Sequence, residues 1–73
     1  MNIFVENGIA IELHYTNYEP KEIMVYLPDH HRTYFVSGND YRRNMETMKS
    51  PWVEEVCSAV GKFLKDKENE NKT

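Results

Sequence analysis

Seventy-three residues with a net charge of −3 leave room for one domain with a thin core, because a chain this short buries only about 60% of the surface its unfolded form exposes. The 40% apolar and 29% charged residues exclude a disordered chain, and no apolar run approaches the ~20 residues that span a bilayer. The opening Met1-Asn2-Ile3-Phe4-Val5-Glu6 lacks the basic-then-apolar order of a signal peptide, so the expected compartment is the cytoplasm. A lone Cys57 cannot form an internal disulfide, in keeping with reducing surroundings. Without a disulfide or a structural metal, so small a core relies on well-patterned burial or on a second subunit, which makes a homodimer one expected solution.

The charge is unevenly spread. Residues 1–29 hold five acids (Glu6, Glu12, Glu19, Glu22, Asp29) against Lys21 alone, and residues 50–73 hold five acids against four lysines. Only residues 30–49 are basic, with Arg32, Arg42, Arg43 and Lys49 against Asp40 and Glu46. An acidic chain opposes phosphate contact over most of its surface, which argues against a dedicated nucleic-acid binder.

In chain order, residues 2–6 and 9–15 flank Asn7-Gly8, the dipeptide suited to the two positive-φ positions of a type I′ turn. A two-residue turn sets Glu6 opposite Ile9, Val5 opposite Ala10 and Phe4 opposite Ile11. Side-chain alternation then gives Phe4, Ile9, Ile11 and Leu13 one face, predicted to be the core, and Ile3, Val5, Ala10 and Glu12 the other. Residues 16–21 are polar and contain Pro20, so they read as a loop. Residues 22–27 read as a third strand, with Ile23, Val25 and Leu27 on one side and Met24 and Tyr26 on the other. Pro28-Asp29-His30-His31 turns the chain into a fourth strand over residues 32–37, which ends at Ser37-Gly38-Asn39-Asp40.

Residues 41–49 have helical propensity but only Tyr41, Met45 and Met48 as apolar anchors, and read as a short helix or turn. A stronger helix signal follows: Ser50 to cap, Pro51 for the first helical position, and Glu54 and Glu55 near the positive end of the helix dipole. At 100° per residue Trp52, Val53, Val56, Cys57, Ala59, Val60, Phe63 and Leu64 fall in one arc, with Glu54, Glu55, Ser58, Lys62 and Lys65 opposite. Gly61 sits at the margin of that arc, either as a close approach for another backbone or as a tolerated flaw. The helix is expected to reach about Asp66, with residues 67–73 a mobile polar tail. The predicted fold is α+β: a four-stranded antiparallel sheet of two hairpins with one amphipathic C-terminal helix on one face.

No catalytic constellation emerges. His14, His30 and His31 are too few and too scattered for a metal site, which needs three or four converging ligands. Cys57 lies on the apolar arc, where a thiol is a small buried hydrophobe rather than a nucleophile. Asp29, His30, His31 and Ser37 would place a hydrolytic triad on one hairpin with nothing to form an oxyanion hole. Gly8, Gly38 and Gly61 are too far apart for a phosphate loop. The expectation is a protein with no enzymatic activity, cofactor or metal.

Two features point to binding. Arg32 beside Tyr34, and Tyr41 beside Arg42-Arg43, set guanidinium groups next to aromatic rings, suited to anchoring a protein interface or to stacking on single-stranded nucleic acid. In addition, one helix covers only one face of a four-stranded sheet, which leaves Ile3, Val5, Met24 and Tyr26 on the uncovered side; apolar patches of this kind mark association, with a twofold dimer the commonest form. The candidate contact residues are Met24, Tyr26, Arg32, Tyr34, Tyr41, Arg42 and Arg43, with a protein as the first partner and nucleic acid as the alternative. In size, acidic balance, tyrosine content and lack of catalytic groups, the chain resembles the small accessory proteins of phages and mobile elements. Many of those bind and inhibit a host protein, so the resemblance implies an inhibitor or regulator.

Overall fold

The computed structural model describes residues 2–71, and their side chains as far as residue 68. Four strands, β1 (Ile3–Glu6), β2 (Ile9–Tyr18), β3 (Lys21–Leu27) and β4 (Arg32–Ser37), form an antiparallel sheet in sequential order, followed by α1 (Tyr41–Thr47) and α2 (Val53–Asn71). The first hairpin has the register read from its turn, with Phe4 opposite Ile11, Val5 opposite Ala10 and Glu6 opposite Ile9. Asn7 and Gly8 supply the two positive φ angles, 51° and 77°, of the Asn-Gly turn.

The core lies between one sheet face and the two helices. Ile11, Leu13, Ile23, Val25, Leu27 and Val36 come from the sheet, Met45 from α1, and Val56, Ala59, Val60 and Phe63 from α2. Phe63 is the largest of these. Its ring meets Phe4 edge-on with centroids 6.4 Å apart and Tyr15 at 5.1 Å, so α2 is seated across β1 and β2 by aromatic contacts.

Residues 16–21 are not a loop. β2 continues to Tyr18 and β3 begins at Lys21, so the connection is reduced to Glu19-Pro20. A bulge between Tyr15 and Asn17 absorbs Thr16, whose hydroxyl donates to the backbone oxygen and the carboxylate of Glu22. Tyr18 lies 5.0 Å from Tyr15. The segment is polar because it extends past the end of the core, and tyrosine and threonine still favour the pleated backbone.

The short-helix reading of residues 41–49 holds as α1, and its C-terminus shows why so few apolar anchors suffice. Lys49 adopts φ 55°, its N–H donates to Glu46 O at 3.0 Å, and the Ser50 N–H donates to Met45 O at 3.3 Å. That pairing is a Schellman motif with lysine at the left-handed position usually given to glycine. Ser50, 8% exposed, then accepts the Trp52 N–H at 3.1 Å and donates to the Tyr34 hydroxyl at 3.2 Å. Pro51 and Trp52 therefore form a capped turn, and α2 starts at Val53 rather than at Pro51.

α2 continues to Asn71, beyond the expected end at Asp66. Residues 67–71 lack apolar groups but contain nothing that breaks a helix, so backbone hydrogen bonding propagates through them. The remainder of the expected tail, residues 72 and 73, lies outside the described residues. Gly61 resolves in favour of a tolerated flaw: a Cβ there would meet nothing closer than the Tyr41 hydroxyl at 3.5 Å. No described helix is long and apolar enough to cross a membrane.

Candidate functional site

Because the helices occupy one face, the other face of the sheet is assembled entirely by strand alternation. Ile3 and Val5 of β1 stand beside Glu12 and Ala10 of β2. Glu12 and His14 stand beside Tyr26 and Met24 of β3, which in turn stand beside Thr33 and Phe35 of β4. Ile3, Val5 and Phe35 are 52%, 67% and 57% exposed, while Met24 and Tyr26 are half-buried by their neighbours. The polar centre of this face is one pair, His14 Nε2 at 2.9 Å from Glu12 Oε1. Neither lysine nor arginine occupies a position on it, and Glu22 adds a second acid at the Ser37 end. The surface is apolar with an acidic component and is about as wide as four strands, roughly 15–20 Å.

The seven residues predicted as contacts do not form one site. Met24 and Tyr26 are on this open face. Tyr34 lies opposite Val25 on the packed face, where its ring joins the core and its hydroxyl accepts from Ser50. Tyr41 also packs against the core. Arg42 is directed at α2, with Nη1 and Nη2 3.0 and 3.4 Å from the two carboxylate oxygens of Glu54. This hydrogen-bonded pairing holds the Glu54 carboxyl below the usual carboxylate range and raises Arg42 further. Both tyrosines and Arg42 thus brace the joint between α1, α2 and β4. Arg32 and Arg43 are exposed at separate places, Arg32 at the start of β4 and Arg43 on α1.

Arg43 borders two open grooves. One, of about 520 Å³, runs between α1 and α2 past Tyr41, Arg42, Glu54 and Cys57; the other, of about 490 Å³, lies between α1 and the strand ends near Lys21, Phe35 and Met48. Cys57 is 4% exposed, and burial pushes its thiol up while the Arg42 charge only partly opposes that. The histidines are dispersed. His14 pairs with Glu12, His30 stacks against Trp52 with centroids 4.6 Å apart, and His31 occupies a left-handed turn position. Among the described residues no three His, Cys, Asp or Glu side chains are grouped to hold a metal ion.

Phe35 is the exposed open-face residue that sequence reasoning missed. Its signal was available: a strand over residues 32–37 that puts Val36 inward must put Phe35 outward. No family model, curated protein or solved structure matches this chain.

Proposed function

We propose that this chain is a non-enzymatic protein-binding module of the accessory or inhibitor type, which grips its partner through the open sheet face. The observation that carries the reading is the exposed set Ile3, Val5 and Phe35 around the half-buried Met24 and Tyr26. Apolar groups gathered on one face are the mark of an interaction surface, and aromatic and methionine side chains are enriched in interface centres. Glu12 and Glu22, with neither lysine nor arginine among them, favour a partner whose apolar patch is bordered by lysine or arginine. The same charge pattern opposes nucleic acid on this face, and the pairing of Arg42 with Glu54 weakens the case for the basic stretch. The buried, unpaired thiol of Cys57 accords with work inside the cytoplasm.

The test is recovery of a stoichiometric partner from an extract of the source organism by the wild type, Phe35→Asp and Arg43→Glu. Retention by wild type and Arg43→Glu, with loss by Phe35→Asp, is expected. Loss by Arg43→Glu with retention by Phe35→Asp would move the contact to the basic stretch and overturn the reading. Salt-sensitive binding of single-stranded nucleic acid by the purified chain would do the same.

A further inference from the structure

We infer that β1 is a self-association edge, on which a second copy of this chain adds its own β1 antiparallel across a twofold axis to make one continuous sheet. The sheet has two free edges, β1 and β4, and they are not equivalent.

Backbone parity fixes which groups each edge presents. The Leu13 N–H donates to Asn2 O at 2.8 Å, so Asn2 and Leu13 form a hydrogen-bonded pair. By alternation Phe4 with Ile11 and Glu6 with Ile9 are hydrogen-bonded pairs as well. The N–H and C=O groups of Ile3 and Val5 therefore point away from the sheet. On β4 the same reasoning, from the Gly38 N–H donating to Lys21 O at 3.0 Å, directs Thr33, Phe35 and Ser37 outward. Here the chain intervenes at one of the three: Asn44 Oδ1 of α1 accepts the Ser37 N–H at 2.7 Å. No side chain of the described residues does this for Ile3 or Val5.

Apart from its shortness and the inward-facing Glu6, β1 lacks the devices that keep edge strands from pairing. It has no lysine, proline or bulge, and its one charge, Glu6, is held by Lys62 at 2.7 Å and Ser58 at 3.0 Å. Instead its outward positions carry two β-branched residues more than half exposed.

A single twofold register uses both outward residues within the described chain. Centred on Phe4, it sets Ile3 opposite Val5 of the second copy and Val5 opposite its Ile3, each pair exchanging both backbone bonds. Phe4 then faces its own copy and Asn2 faces Glu6, so no like charges stand opposite one another. The axis is perpendicular to the sheet, which keeps both helical layers on one side and joins the two open faces on the other. Ile3 and Val5 become the centre of a doubled surface. The seam is five residues long on each copy, too short to bury the ~1,200 Å² of stable interfaces, so the dimer is concentration-dependent.

The inference goes beyond partner binding and stands without it, since it is read on the purified chain alone. Sedimentation equilibrium from about 10 µM to about 1 mM is expected to show a monomer–dimer equilibrium for the wild type and for Phe35→Lys. Val5→Pro, which removes an outward N–H, and Val5→Lys, which adds an edge charge at an exposed position, are expected to stay monomeric, with Val5→Lys retaining the wild-type circular dichroism spectrum. Amide exchange at Ile3 and Val5 should slow about tenfold or more between the monomeric and dimeric conditions, while Thr33 and Phe35 stay unchanged. A wild type monomeric throughout, a dimer that survives Val5→Lys, or protection at Thr33 and Phe35 instead would overturn it.

Discussion

The two faces of the sheet use the same residue types for opposite purposes. On the helix side Ile11, Leu13, Ile23, Val25, Leu27 and Val36 are at most 1% exposed, whereas on the other side Ile3, Val5 and Phe35 stay more than half exposed. Alternation of successive side chains separates the two sets, most plainly in β4, where Val36 is buried and Phe35 exposed. In a chain this small the helical layer is enough for one face only, and what remains uncovered is where a second molecule gains most by binding. The helix side is scaffold and the open side is available for function.

That contrast should fail first at Phe63. Replacing it by alanine removes the ring that meets both Phe4 and Tyr15 and is expected to cost about 3–5 kcal/mol, read by urea unfolding; a cost under about 1 kcal/mol would mean that α2 is not the lid of the core. Two substitutions on the scaffold should instead add stability. Lys49→Gly relieves the left-handed residue of the Schellman motif, and Gly61→Ala fills ordinary contact space beside Tyr41. Each is expected to gain about 0.5–1 kcal/mol, seen as a raised melting temperature.

Acid should loosen the seam between α2 and β1. The hydrogen bond from Lys62, helped by that from Ser58, holds the Glu6 carboxyl below the usual carboxylate range. A depressed folded-state value contributes stability that is complete above the unfolded value and is lost as pH falls through the folded one. Glu6→Gln should therefore flatten the fall in melting temperature across the acidic range and leave its slope near neutral pH unchanged. The smallest effect on stability is expected on the open side: Phe35→Ser should shift unfolding by no more than about 0.5 kcal/mol. A large loss there would mean that Phe35 belongs to the fold.

Much of this architecture is legible from the residues. Asn7-Gly8 dictates the first register, period-two alternation separates Ile23, Val25 and Leu27 from Met24 and Tyr26, and the arc from Trp52 to Leu64 marks the packed side of α2. The run from Thr16 to Lys21 misleads because its polarity reflects where the core ends, not where the strand ends, and a bulge is invisible to a strict period of two. The candidate contact residues are harder to read. An arginine beside a tyrosine in sequence looks the same whether it meets a partner or, like Arg42, meets Glu54 twelve positions on. Likewise the role of Tyr34 depends on Ser50, sixteen residues away. Pairings of that kind belong to the tertiary fold and leave no local pattern.

The most direct test of the open face as the binding surface is site-directed photocrosslinking in a native extract, with p-benzoylphenylalanine placed at Phe35 on that face or at Lys65 on the exposed side of α2. The account predicts a discrete covalent adduct from position 35 and none from position 65. An adduct from position 65 with none from position 35 would contradict it.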